Sequence, residues 1–160
     1  MRALKSRAAR RWKRCGTTAV EVALTLPVFF IFVFGTFEYG RVQLVSNLLQ
    51  TACRTGARYG ATEGVSSSEA LARVSQILAA AIDTSALSSV AKDAAVFDTP
   101  GPYPDNPSEF AALPDLELSV AEPRQLFLVR ATVDYNDVAI IPMPALDGLT
   151  LTGQAFMRHE

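Results

Sequence analysis

Histidine is nearly absent from this 160-residue chain: the single His159 stands at the penultimate position, where fraying is expected. Neither a Ser-His-Asp relay nor a histidine-rich metal site can be built from it. Cysteine is almost as scarce. Cys15 and Cys53 match no zinc-ligand spacing, and they flank a long apolar run that excludes an intrachain disulfide across a membrane. Cys53 reads as a small packing residue. No G-x-x-x-x-G-K-[ST] occurs, so the chain is not a P-loop ATPase. Asp134 and Asp137 flank Asn136, a pattern that turn chemistry explains better than cation binding. The residues offer no catalytic constellation, and we expect no enzyme activity, no cofactor and no metal.

Acidic residues are missing from residues 1–16, which hold seven basic ones (Arg2, Lys5, Arg7, Arg10, Arg11, Lys13, Arg14). The rest of the chain carries eight basic residues against all 16 acids, so the near-neutral total of −1 conceals two ends suited to opposite environments. Between them, Val22 to Phe37 contains no charge and five phenylalanines, at 29, 30, 32, 34 and 37. Counted from Thr17 the stretch has 21 residues, which at a rise of 1.5 Å spans roughly 30 Å, one hydrocarbon core. The basic block keeps the N-terminus cytoplasmic and sends the chain after about residue 38 outward. Membrane orientation accounts for that block, which is too short to argue for nucleic acid. Glu38, Tyr39 and Arg41 then mark the outer interface. A cleaved secretory signal is disfavoured, because the apolar run is too long and "GTFEYGR" contains no A-x-A site.

Glu21 is the anomaly. A carboxylate at the edge of a membrane helix is a functional-site hypothesis in need of a partner, although snorkelling alone would also accommodate it. A cut after Gly16 would give Thr17 an α-amino group four residues before Glu21, one helical turn away on the same face. The two charges could meet within one chain or between staggered neighbours, and pairing in low dielectric favours assembly over the unpaired state. The layout is a basic leader ending in Gly16, then Thr17-Thr18-Ala19-Val20, then Glu21 and an apolar helix. It resembles the type IV prepilin processing site, at which a membrane aspartyl peptidase cuts after the glycine. The stretch from Gly16 to Thr62, with "AVEVALTLPV", "FEYGR" and "ACRTGARYGAT", is similar to the TadE-like family of pilus-assembly proteins. That resemblance implies a minor pseudopilin acting with tight-adherence (Flp-type) pilus machinery in the cell envelope. Val22 stands where the major Flp pilins place tyrosine, which implies an assembly component rather than the main fibre subunit. This chain cannot be the processing peptidase, which needs several spans.

Past Arg41 the helical pattern continues through Val42, Val45, Leu48, Leu49, Ala52, Gly56, Tyr59 and Gly60. Ala52, Gly56 and Gly60 form a small-residue strip for close helix packing, either on the chain's own domain or on another subunit. Pro27 removes one backbone hydrogen bond from the membrane part. One helix over 17–61 would be roughly 65–70 Å long, the stem of a pilin-like lollipop. Downstream, Ser66 and Glu69 suggest a capping box ahead of a helix with an apolar stripe at Leu71, Val74, Leu78 and Ile82. Strands are expected over 93–99, 116–121, 126–135 and 149–158, with a connector containing five prolines over 100–115. "NDVAIIPMPALDG" breaks regular structure through its prolines. The sum is an α+β fold: a long N-terminal helix, then a small, mostly antiparallel sheet with helical cover on one face.

The expected organisation is a cleaved basic leader (1–16), a transmembrane helix (17–37), its continuation (38–62) and an extracytoplasmic α+β domain (63–160). The expected setting is the inner membrane, crossed once. The expected partners are the membrane, other pilin or pseudopilin subunits, the pilus assembly machinery and a prepilin peptidase. The alternative is a membrane-anchored extracytoplasmic binding or sensory module that is neither processed nor polymerised.

Overall fold

The structure, a computed structural model, describes residues 3–98, 107–142 and 144–160. Residue 99, the last of the expected strand 93–99, and the first part of the proline-rich connector, 100–106, lie outside the described residues. Helix α1 runs from Ala3 to Gly60 through Pro27. There follow α2 (Ser67–Leu78), β1 (Ser88–Asp93), α3 (Pro107–Ala111), β2 (Leu126–Asp134), α4 (Tyr135–Val138) and β3 (Thr150–Arg158). The fold is α+β, and the chain divides into two compact units, Met1–Gly40 and Arg41–Glu160.

In the second unit the three strands form an antiparallel sheet in the order β1-β2-β3, with Val129 opposite Ala91 on one side and Ala155 on the other. β2 is the central strand. It reads as an almost continuous apolar run because both its faces are covered, and Phe127, Leu128, Val129 and Ala131 are fully buried. On β3, Leu151, Gly153 and Ala155 alternate inward as the period-2 pattern requires.

The helical part of this unit, from Arg41 on, lies along the inner face. Val45, Leu49, Ala52, Cys53, Ala57 and Ala61 recur at three- and four-residue steps, and all enter one core with Val74, Leu78, Phe127 and Val129. Tyr59, read as part of that face, is exposed; Cys53 and Ala57 take the inward positions. The approach to the sheet is closest at Gly153, where a Cβ would stand 2.6 Å from the Leu49 carbonyl oxygen. Backbone meets backbone there, which only glycine permits.

α2 begins with the capping box. Glu69 N–H donates to Ser66 Oγ at 3.3 Å, and Ser66 N–H donates to the Glu69 carboxylate at 2.9 Å. Its buried stripe is Ala70, Val74 and Leu78, with Leu71 half-buried beside it. Ile82 is buried beyond the end of the helix.

Two expected strands are absent. Over 93–99 the chain leaves β1 at Asp93, whose carboxylate accepts the Ala95 N–H at 2.9 Å and turns it into a 3-10 turn, Ala95–Asp98. Over 116–121 there is a 3-10 turn at Leu118–Val120, and one isolated bridge, Lys92 to Asp115, lies just ahead of it. The alternation of "LELSVA" serves a different purpose. Glu117 accepts the Ser67 N–H at 2.8 Å, while Ser67 Oγ donates to Leu116 O and accepts the Leu118 N–H. Leu118 is thereby pushed into the core, where it lies against Gly60. The strand actually used, β1, was not foreseen: Ser88, Ser89 and Lys92 have little strand preference of their own, and pairing with β2 decides the matter.

Cover was expected on one face of the sheet only, and the outer face proves to be partly roofed as well. Phe156 on β3, opposite Leu128, meets Phe97 at 5.2 Å and Phe110 of α3 at 6.1 Å between ring centroids. Arg158 clamps Asp98 with two hydrogen bonds, of 2.5 and 3.2 Å, and holds this roof in place. The C-terminus does not fray. His159 is buried, its N–H donates to Gln125 O, its carbonyl accepts the Arg124 N–H, and Glu160 N–H donates to Ala61 O at 2.9 Å.

Two outcomes follow for the full chain in detergent, read by denaturant unfolding. Gly153→Ala should destabilise by about 1–3 kcal/mol through overpacking against backbone that has little room to yield. Gly40→Ala, where no atom lies within 4 Å of the added Cβ, should be neutral or better. The Glu117 carboxyl is held below its ordinary range, chiefly by the Ser67 N–H. Its contribution is therefore complete above about pH 4.3, the unfolded value, and is lost as pH falls through the lower folded value. Glu117→Gln should lower the unfolding midpoint at pH 7, and the gap from wild type should close on acidification; a gap independent of pH refutes the assignment.

Candidate functional site

Within the first unit, α1 has no buried apolar face over the segment read as the membrane span. Successive residues of an α-helix step by about 100°, so four in a row sample the whole circumference. Phe29, Phe30, Ile31 and Phe32 are all between 47 and 74% exposed, and Leu24 and Phe37 are equally open. A helix that is apolar all round needs an apolar medium or a ring of partners. By length and composition this is a helix able to cross a membrane.

Two hydroxyls in the segment are satisfied locally. Thr25 Oγ donates to Glu21 O and Thr36 Oγ donates to Phe32 O, each at 2.8 Å. Hydroxyls bonded within their own turn leave less polarity to be desolvated in hydrocarbon, where unmet backbone or hydroxyl groups cost several kcal/mol. Phe30 stacks on Phe34 at 5.8 Å between ring centroids, a one-turn pair that stiffens the apolar surface.

Gly16, Thr17 and Glu21 all lie within α1, with Thr17 and Glu21 one turn apart and both exposed. In the uncut chain the Thr17 nitrogen is a helix amide, so the arrangement provides the spacing for an amine–carboxylate pair but not the amine. Tyr39, expected at the outer interface, is exposed. Glu38, read as its companion, is instead only 1% exposed.

The small-residue strip belongs to the second unit. Ala52, Gly56 and Gly60 are buried there. A Cβ on Gly56 would collide with Val74 Cγ2 and stand 3.1 Å from Ala70 O; one on Gly60 would stand 2.6 Å from Leu118 Cδ1. The strip lets α2 and the 116–118 turn close on α1. Arg41 has a role that the sequence did not announce. Its Nε donates to Val138 O and its Nη2 to Ala81 O, each at 3.2 Å, tying two distant loops to the first residue of this unit. Only its position at the helix exit hinted at importance.

Cys53 is a fully buried free thiol. Burial pushes its pKa up to about 12, against a smaller opposing effect of a hydrogen bond with the Ala131 backbone. At neutral pH it holds almost no thiolate, the form that reacts.

Compared with known protein families, residues 16–58 match the family described as TadE-like protein. The matched stretch begins at Gly16, covers the apolar segment and ends two residues before the end of α1. No curated protein and no solved structure matched the chain.

In a Cys15→Ser background, native protein near pH 8 should take up almost no maleimide at Cys53, and denatured protein should take up one equivalent. Rapid labelling without denaturant would contradict the buried thiol.

Proposed function

We propose that this chain, TadE-like over residues 16–58, is a single-pass membrane pseudopilin that takes part in assembling a tight-adherence, type IV-related pilus. One observation carries the reading. The family match starts at Gly16, directly ahead of the stretch of α1 that is apolar on every side and carries a lone acid, Glu21, near its start.

The chemistry follows from the solvent. The basic leader stays on the cytoplasmic face, and the apolar helix partitions into the inner membrane with the acidic unit outside. A prepilin peptidase cuts after Gly16 and leaves Thr17 with a free amine. Charged groups within the bilayer cost about 2.5–3.5 kcal/mol on insertion scales. An amine and the Glu21 carboxylate offset one another when paired, within a chain or between chains staggered along their axes. The pair thus favours a fixed register between subunits and disfavours the isolated helix. In this role the protein is the substrate of an enzyme and needs no cofactor.

A second reading, a permanently anchored binding or sensory module, draws on a different observation. Ala52, Gly56 and Gly60 are occupied by the protein's own α2 and 116–118 turn, so that strip is not free to seat another subunit.

Mass spectrometry of the protein purified from cells that contain the peptidase separates the two readings. The pseudopilin should begin at Thr17; an intact leader would leave only the anchored module. Glu21→Ala should insert as well as wild type yet fail to co-purify with its pilus partners, and undiminished co-purification would remove the role given to that carboxylate.

A further inference from the structure

The loop after α4 is unusual for a surface. Ile140 is 70% exposed and its neighbour Ile141 39%, and Pro142 beside them is exposed too. Scattered apolar side chains need no explanation, but adjacent isoleucines held out on an anchored loop do. The loop is fixed at both ends. Ala139 N–H closes α4 on Tyr135 O at 2.9 Å, and Tyr135 Oη donates to Ile141 O at 3.4 Å. Tyr135 N–H also holds Leu149 O at 2.8 Å, which brings a third exposed apolar residue alongside.

What the loop is tied to identifies its occupant. Arg41 Nε donates to Val138 O, so the isoleucines project from a segment fastened to the first residue of the second unit. Phe37, the last residue of the apolar run, precedes Arg41 by four positions, which span at most about 14 Å even when fully extended. The polar interfacial layer of a bilayer is itself about 5–7 Å thick on each side. Chain connection and the Arg41–Val138 hydrogen bond together thus tie the root of this loop to the residue four positions past the apolar run, if residues 17–37 span the membrane.

We propose that Ile140 and Ile141 form a second membrane contact, a shallow wedge that enters the interfacial layer of the leaflet from which the helix emerges. The inference rests on the membrane-spanning reading of α1. The flanking carboxylates of Asp137 and Asp147, both exposed, limit the depth, because they stay hydrated among the headgroups while the isoleucine side chains reach the acyl boundary. Such a wedge adds apolar burial at a second point beside the helix and restricts the swing of the outer unit about the helix exit.

The test uses the full chain in phosphatidylcholine vesicles, with Cys15→Ser and the buried Cys53 retained. An environment-sensitive fluorophore is attached at Ile140→Cys, with Ile141→Cys as a second site. Val120→Cys serves as the control. Val120 is 77% exposed and apolar as well, but it sits in the Leu118–Val120 turn packed on Gly60, nineteen helix residues beyond Arg41. With the protein resistant to carbonate extraction, emission from position 140 or 141 should shift to the blue. Most of its intensity should be lost when the lipids carry a nitroxide near the headgroup, while position 120 stays water-like and unquenched. Extraction-resistant protein with a water-like signal at both isoleucines overturns the wedge and leaves the membrane span standing. A blue shift without lipid quenching shows that protein covers the loop, which also overturns it. Loss of the protein to carbonate extraction refutes the span, and the wedge with it.

Discussion

The second unit is organised around the meeting of Leu49 and Gly153, where helix backbone rests on strand backbone. With no side chain between them, α1 and β3 sit closer than ordinary helix-on-sheet packing allows. That spacing sets the depth of everything beside it. Alanines at 52, 57 and 61 are large enough to fill the layer, Phe127 and Leu118 enter from the flanks, and α2 settles over Gly56 and Gly60. A small unit has little interior to draw on, and the close approach compensates by bringing many small residues into contact. Stability of this kind depends on shape more than on any large side chain, so a single added methyl is felt across the layer.

The same helix answers to two solvents. From Val22 to Phe37 its surface is apolar all round, and the hydroxyls of Thr25 and Thr36 are turned back on their own backbone. From Val45 the apolar residues narrow to one stripe, and Gln50, Arg54 and Arg58 appear between them. The change occurs within about two turns, with Arg41 at its centre holding loops from residues 81 and 138. A guanidinium suits that position, since its fixed fork of donors can serve two carbonyls at once while its charge stays near water. The family resemblance covers both regimes, which suggests that it describes this transition as much as the membrane segment.

Much of this was legible from residues alone, for identifiable reasons. The apolar run, the capping box at Ser66 and Glu69, and the strands at 126–134 and 150–158 are local patterns that repeat within a few residues. The spacing of Gly16, Thr17 and Glu21 is equally local, and the cut proposed after Gly16 is what would give it a role. The failures were cases where a distant partner overrode the local pattern. "LELSVA" alternates as a strand should, but Glu117 is committed to the start of α2 and Ser67 to both sides of it. Asp93 ends a strand in place of beginning one because its carboxylate takes the Ala95 N–H. The His159 backbone is held by Gln125 and Arg124, just ahead of β2, and nothing about a penultimate histidine announces that.

The contact between Leu49 and Gly153 also imposes a schedule. Its two halves are about 100 residues apart, an interval of roughly 5–20 s at ordinary rates of synthesis. Until β3 is made, the stripe of Val45, Leu49, Cys53 and Ala57 has no complete sheet to rest on, although the apolar segment before it is already complete. For those seconds the newborn chain presents an uncovered apolar helix face, and any other apolar surface within reach is a competing place for it to lie. The second unit is therefore complete only when β3 closes over Leu49 and the Glu160 N–H reaches Ala61 O.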